Sequence, residues 1–189
     1  MNIRFDEAHR QIRTGDLLFF RGHSLWSWLI KLWTRSRVSH VGRAAWGEFC
    51  GERILFVVEA VEGVGVRLAR VDDLLRHGEQ IDWYRLRTRL PDRTLQPEVG
   101  VRYLLSLVGR SYASPWQFVR AFSMGGRLVG RWLDLPVDTD PERFFCSEAV
   151  AASLLRDGYE DSSLGDPASL NPGDLQELPC LQAEGRLVL

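Results

Sequence analysis

One glutamate interrupts an apolar stretch in the first half of the chain. The run LFVVEAV, residues 55–61, is apolar at every position except Glu59. A continuous apolar run of this length is typical of a strand that is buried on both faces. A carboxylate inside such a strand needs a partner, because an unpaired buried charge is very costly. Glu59 is therefore the first residue for which a function must be sought.

The periodicity around this run predicts strands in the first half and helices in the second. Strands are predicted at residues 15–20, 38–46, 53–61, 64–68 and 81–86. The predicted helices cover residues 24–35, a short segment from Asp72 to Gly78, a segment from Pro97 to Gly109, and the segment that follows Asp140-Pro141 and ends at Gly158. NPGDLQEL, 171–178, is predicted as a turn and RLVL, 186–189, as a last strand. This order favours an α+β fold, and the length suits a single domain over residues 1–189.

The composition and net charge of the chain argue against several classes of function. The net charge of −1 provides no global field that would attract nucleic acid or an anionic membrane. The sequence shows no transmembrane helix and no secretory signal, which predicts a cytoplasmic location. Three widely spaced cysteines argue against a disulfide framework, and the four histidines are not paired with them at zinc-ligand spacing. We therefore expect no metal and no cofactor.

Cys146 is the first candidate for chemistry. It lies near the front of the predicted helix that ends at Gly158. A helix N-terminus and a neighbouring imidazolium both favour the thiolate, which is the nucleophilic form of cysteine. If Asp140 caps the helix, Cys146 lies in the second turn, where the dipole is weak; if the preceding Phe-Phe is extended, it lies in the first turn. The alternative is a buried structural cysteine, a common role for this residue type.

His40 is the second candidate, because its strand pairs with the strand of Glu59. A hairpin that closes symmetrically over the loop 47–52 places Trp46 opposite Arg53, and the same register places His40 opposite Glu59. Glu59 could then accept the imidazole N–H and stabilise the imidazolium. A one-residue change in register would put the two side chains on opposite faces.

The motifs TGDLLFF, SHVG, FVVEA, GRSY, FFCSEAV and NPGDL occur in an order that resembles the YiiX-like branch of the permuted NlpC-type papain-fold proteins. The resemblance spans roughly residues 14–178. It implies a circularly permuted papain-like fold, with an antiparallel sheet or small barrel packed against helices. It also implies Cys146 as nucleophile, His40 as general base and Glu59 as the third member of the triad. The histidine strand comes before the cysteine helix, as in the permuted branch.

Two further regions carry weaker predictions. Tyr112, in GRSY, is a candidate oxyanion or substrate-binding residue, or a tyrosine that packs after the helix stop at Gly109. The segment 113–138 matches no motif of the family and is predicted to be an insertion or lid. Trp116 and Trp132 in it are either cleft residues or core residues, and the arginines near them suit an anionic head group or a membrane surface.

The predicted function is a thiol-dependent hydrolase that cleaves an amide or ester bond through an acyl-enzyme. Its substrate would be a peptide, a peptidoglycan fragment or an amide-linked lipid. Two alternatives remain: an acyltransferase on the same scaffold, and a non-catalytic ligand-binding module. The oligomeric state is not predicted.

Overall fold

A computed structural model describes residues 1–22, 37–110, 146–161, 163–164, 166–167 and 170–189. In chain order the elements are β1 (Asn2–Arg4), α1 (Phe5–Ala8), β2 (Leu17–Phe20), β3 (His40–Phe49), β4 (Glu52–Val61), β5 (Gly65–Arg70), α2 (Val71–Arg76), β6 (Ile81–Leu86), α3 (Pro97–Ser106), α4 (Cys146–Arg156), α5 (Pro172–Gln176) and β7 (Leu181–Val188). The predicted α+β class is therefore confirmed. The predicted helix at 24–35 lies outside the described residues.

The seven strands form one open sheet in the order β1-β7-β6-β2-β3-β4-β5. Every neighbouring pair is antiparallel except β1 and β7, which pair in parallel. The prediction of an antiparallel sheet or small barrel is thus corrected in two respects. Within the described residues the strands do not close into a barrel, and β1 and β7 form a parallel pair at one edge, which no local pattern could indicate.

The β3–β4 hairpin has a different register from the one predicted. Its turn consists of Cys50 and Gly51 alone, with φ angles of 52° and 79°, as a two-residue type I′ hairpin requires. Trp46 therefore pairs with Leu55, and Glu59 pairs with Gly42 rather than with His40. The prediction was wrong by two residues. Because strand side chains alternate with a period of two, His40 and Glu59 still lie on the same face, as diagonal neighbours.

Each face of the sheet has its own hydrophobic core. On one side α3 and α4 contribute to a cluster that includes Val41, Val58 and Cys146. On the other side residues of α1 and α2 contribute to a cluster that includes Val57 and Trp83. Burial on both faces explains the apolar run around Glu59.

A buried ion pair joins α4 to the sheet. Arg43 of β3 lies 2.7 Å from Asp157, which follows α4, and both side chains are fully buried. The Arg43 guanidinium also donates to the Gly15 carbonyl at 3.0 and 3.1 Å and to Ser153 Oγ at 3.0 Å. Asp157 in turn accepts a hydrogen bond from the Gly100 N–H of α3 at 2.8 Å. These bonds position the C-terminal end of α4, which starts at Cys146.

Smaller differences from the sequence prediction have local causes. The segment predicted as a turn at NPGDLQEL contains α5, which begins with a capping box in which Asn171 and Asp174 bond each other's backbone N–H groups. The last strand is longer than predicted and begins at Leu181. In the described ranges, no helix has the length and apolar character needed to span a bilayer.

Candidate functional site

Glu59 has two partners, one for each carboxylate oxygen. Its Oε2 lies 2.8 Å from His40 Nε2, and its Oε1 accepts from Arg67 Nε at 3.0 Å and Nη2 at 2.8 Å. Arg67 lies directly opposite Glu59 on β5. The glutamate side chain is only 3% exposed, whereas the side chains of His40 and Arg67 are 19% and 39% exposed. The buried carboxylate thus bridges two cationic side chains that reach the surface.

Gly42 makes room for this arrangement. It occupies the β3 position directly opposite Glu59. A Cβ atom at Gly42 would lie 3.0 Å from Glu59 Cβ, 2.8 Å from the Val58 carbonyl oxygen and 2.5 Å from a methyl group of Val57. These contacts are too short to tolerate. The glycine of the SHVG motif therefore leaves the space beside Glu59 open, so that its carboxylate can reach His40 two residues away.

Cys146 is the first residue of α4, and His40 is the first residue of β3. The two side chains meet at the end of the sheet, where they share a hydrogen bond. Because Nε2 of His40 faces Glu59, Nδ1 is the ring nitrogen left for the thiol. Cys146 is 5% exposed and forms part of the core beneath α4. The three residues that the sequence singled out are therefore adjacent, in the order Cys146, His40, Glu59.

The surroundings of His40 favour its charged form. Burial acts against protonation, but the negative charge and hydrogen bond of Cys146, together with the Glu59 carboxylate, outweigh it and raise the pKa of His40 to about 10. The Phe20 ring packs against the imidazole with 5.2 Å between ring centroids. This arrangement suits an imidazolium held between two acidic groups.

The pKa of Glu59 also reflects a balance between burial and charged neighbours, but here the result is a lower pKa. Burial alone would raise the pKa of its carboxyl group, but the hydrogen bonds and positive charges of His40 and Arg67 lower it. Glu59 is thus a carboxylate at neutral pH. It can hold the orientation of the His40 ring and stabilise its positive charge.

The two other cysteines have different environments. Cys180 is fully buried, and burial raises the pKa of its thiol to about 11. Cys50 is exposed at the tip of the β3–β4 hairpin. The remaining predicted site residues, Tyr112, Trp116 and Trp132, and the predicted lid at 113–138, lie outside the described residues.

Arg67 is the residue of the site that sequence analysis missed. It lies in GVGVRLAR, an alternating strand pattern in which an arginine is ordinarily a surface residue. A signal was present, since a buried carboxylate calls for a cationic partner and Arg67 is on the next strand. Only the observed β4–β5 register, however, places these two residues opposite each other.

The comparison with solved structures bears on the fold. The crystal structure of metalloprotein yiiX from Escherichia coli O157:H7 is similar to this chain with a TM-score of 0.62. The similarity covers 95% of this chain and 99% of that one, at 20% sequence identity. The fold is YiiX-like. No family model matches the sequence, and no curated protein matches it. At this identity the similarity shows the fold alone, and the permuted papain-like assignment stays a prediction.

Proposed function

We propose that this protein is a thiol-dependent hydrolase that cleaves an amide or ester bond through an acyl-enzyme on Cys146. The observation that supports this most directly is the continuous contact from Cys146 through His40 to Glu59. This is the combination of a nucleophile, a base and an orienting carboxylate that thiol hydrolases use. The order of these residues along a YiiX-like chain fits the permuted papain-like arrangement that the motifs suggested.

In the proposed reaction, Cys146 Sγ attacks the substrate carbonyl carbon while the thiol proton is held by His40. The tetrahedral intermediate collapses, the carbon–nitrogen or carbon–oxygen bond breaks, and His40 gives its proton to the leaving group. A thioester remains on Cys146. His40 then takes a proton from water, and the resulting hydroxide attacks the thioester carbon. The carbon–sulfur bond breaks, the acid is released, and Cys146 returns to the thiolate beside protonated His40. The Cys146 backbone N–H is the natural donor to the oxyanion.

Glu59 acts through His40 in this scheme. Its carboxylate fixes which ring nitrogen faces the thiol and stabilises the imidazolium during both steps. Arg67 holds Glu59 by a two-nitrogen contact to Oε1, so we assign Arg67 as a positioning residue. An arginine is well suited to this, because two of its N–H groups converge on one carboxylate oxygen in a fixed geometry, which the single ammonium of a lysine does not reproduce.

The description of yiiX as a metalloprotein raises the question of whether this chain also binds a metal. Within the described ranges, no group of three or more histidine, cysteine, aspartate or glutamate side chains is arranged to hold a metal ion. At the site itself both oxygens of Glu59 are engaged, and the Arg67 guanidinium would repel a cation. The described residues therefore do not fit a metal centre, and no step of the proposed reaction uses one.

Thiol reactivity provides the first test. We expect iodoacetamide near neutral pH to label Cys146 faster than Cys50, although Cys146 is 5% exposed and Cys50 lies on the surface. Cys180 should label slowest because its pKa is about 11. Cys50 is an internal control for an ordinary exposed thiol. In His40→Ala the rate at Cys146 should fall below that at Cys50. Equal labelling of Cys146 and Cys50 in the folded wild type would argue against an activated nucleophile.

The reaction itself requires a second test. An activated ester should leave an acyl group on Cys146, detectable by intact mass, and Cys146→Ala should remove this adduct. Product analysis with and without an amine acceptor then separates hydrolysis from acyl transfer, since both pass through the same thioester. A reactive Cys146 that never forms an acyl adduct with any ester or amide of a broad library would instead favour the ligand-binding alternative.

A further inference from the structure

A cleft lies toward the opposite end of β3 from the candidate site. Its volume is about 840 Å³, and Trp46 is among its lining residues. His40 is six positions earlier on the same strand, about 20 Å away along β3 at the usual rise per residue. Among the described residues that line the cleft, none is a member of the Cys146, His40, Glu59 and Arg67 site. We refer to this cleft below as the basic cleft.

Five arginines from four separate parts of the chain line this cleft. Arg10 and Arg13 follow α1, Arg53 lies on β4, Arg85 lies on β6, and Arg89 follows β6. The described lining residues include two carboxylates, Asp16 and Glu98, so among them five arginines against two carboxylates leave an excess of three positive charges. The whole chain carries a net charge of −1. The concentration of positive charge at this cleft is therefore local and does not follow from the overall composition.

Most of these arginines lack an acidic partner. Arg10, Arg13, Arg53 and Arg89 form no ion pair within the described part of the chain. The contrast is with the exposed arginines elsewhere that pair with aspartates close in sequence, namely Arg4, Arg70, Arg76 and Arg93. Like charges gathered without partners repel one another, so their convergence on one cleft suggests a ligand that neutralises them.

Arg85 is the exception among the five, because it forms ion pairs with Asp16 and Glu184. Its Nε is buried and has no hydrogen-bond partner; the Glu184 carboxylate lies 3.5 Å from it. Asp16 lies 3.9 Å from Arg85 Nε, and its oxygens also accept from Trp83 Nε1 at 2.9 Å and from the Leu86 N–H at 3.1 Å. Asp16 therefore offsets part of the charge of Arg85, whereas the other four cleft arginines have no ion-pair partner within the described residues.

We propose that the basic cleft binds a small polyanion that carries two or more phosphate groups. Guanidinium groups bind phosphate through paired charge-assisted hydrogen bonds, and several converging arginines match several anionic groups better than one. The volume lies in the range of small-molecule sites. A volume of this size favours a small polyanion over a long one.

The proposal can be tested by titration calorimetry of the full chain with inorganic tripolyphosphate. The salt concentration should be about 150 mM, so that weak surface attraction is screened. In the double variant Arg13→Gln and Arg89→Gln the dissociation constant should rise at least about tenfold. The matched control is Arg4→Gln with Arg87→Gln, which removes the same charge outside the cleft and should change affinity by less than about twofold. The cleft arginines that are replaced have exposed side chains, and Arg10→Gln is a second, milder cleft variant.

Three results would overturn the proposal. The first is no binding of tripolyphosphate to the wild type, and the second is equal weakening in the cleft and control variants. The third concerns the ligand class: tighter binding of a single-stranded oligonucleotide with increasing length, or of phosphatidylglycerol vesicles in preference to tripolyphosphate, would show that the arginines serve a macromolecule or a membrane. Labelling of Cys146 should be the same in the cleft variants and the wild type, which keeps this test separate from that of the thiol site.

Discussion

Asp157 and Glu59 are two buried carboxylates that are each held by an arginine, and their surroundings differ. Asp157 and Arg43 are completely buried and otherwise contact backbone groups and a serine. Glu59 is also buried, but its partners Arg67 and His40 are partly exposed. Burial raises the pKa of Asp157 despite the charge of Arg43, whereas His40 and Arg67 outweigh burial and lower the pKa of Glu59.

The difference shows what each pair is suited to do. A pair closed on all sides cannot exchange protons with solvent or substrate, so Arg43 and Asp157 serve to hold α3, α4 and β3 together. A carboxylate whose partner is a titratable ring next to a thiol can change the chemistry of that thiol. Breaking the first pair should therefore reduce stability, and breaking the second should reduce reactivity.

The largest effect is expected from Arg43→Met. It leaves the Asp157 charge buried without its partner, which typically costs about 3–5 kcal/mol of unfolding free energy. Urea denaturation followed by circular dichroism measures this loss. Arg70→Met, which breaks an exposed pair with Asp72, is the control and should change the unfolding free energy far less, because solvent screens that pair. If the double variant Arg43→Met with Asp157→Leu is no more stable than Arg43→Met alone, the uncompensated charge is not the cause.

Glu59→Gln should reduce activity much more than stability, unlike Arg43→Met. The amide keeps the shape of the side chain but cannot stabilise an imidazolium, so turnover should fall by a factor on the order of 100 or more. The unfolding free energy should change much less than in Arg43→Met, because Arg67 can turn to solvent. Steady-state rates on an activated ester, paired with urea denaturation, measure both quantities. A Glu59→Gln protein that is fully active but unstable would reverse the contrast between the two carboxylates.

The residues of the candidate site could be predicted from the sequence more accurately than the strand register that brings them together. Glu59 could be singled out because a charge in an apolar strand has a local signature, and the strand 81–86 was predicted with its observed bounds. The predicted hairpin register was wrong because the turn is set by the φ angles at Cys50 and Gly51. An error in the turn length shifts every residue pair of the hairpin. The prediction that His40 contacts Glu59 still holds because the register error was an even number of residues, which leaves both side chains on the same face of the sheet.

Other features could not be predicted because they depend on contacts between distant segments. Arg43 lies in an apolar strand just as Glu59 does, but its partner Asp157 is more than a hundred residues away. The parallel pairing of β1 with β7 joins the two ends of the chain. By contrast, the Asn171 and Asp174 capping box has a local pattern, and the start of α5 could have been predicted from it.

Titration of the His40 ring tests how the site is charged. A folded pKa of about 10 against an ordinary value of 6.5 means that the imidazolium contributes stability fully below pH 6.5 and loses that contribution as the pH rises through about 10. NMR of the imidazole protons should show this titration near pH 10 in the wild type. In Cys146→Ala the midpoint should move to lower pH, because the negative charge and hydrogen bond of the thiol are removed. An unchanged midpoint would show that Cys146 does not act on His40.

The smallest effect is expected at Arg67. The direction in which the pH profile of activity moves distinguishes a positioning role from a structural one. Arg67→Met removes one of the two cations that lower the pKa of Glu59, so this pKa should rise while burial continues to favour the neutral acid. A group with a lowered pKa loses its charge as the pH falls, so the acid limb of the activity profile should move to higher pH. At neutral pH the rate should fall by no more than about tenfold, because Arg67 is 39% exposed and solvent weakens its contribution. Arg67→Lys keeps the charge without the paired contact and should shift the limb less. A fall in rate with no movement of the acid limb in either variant would mean that Arg67 supports the strand and does not position Glu59.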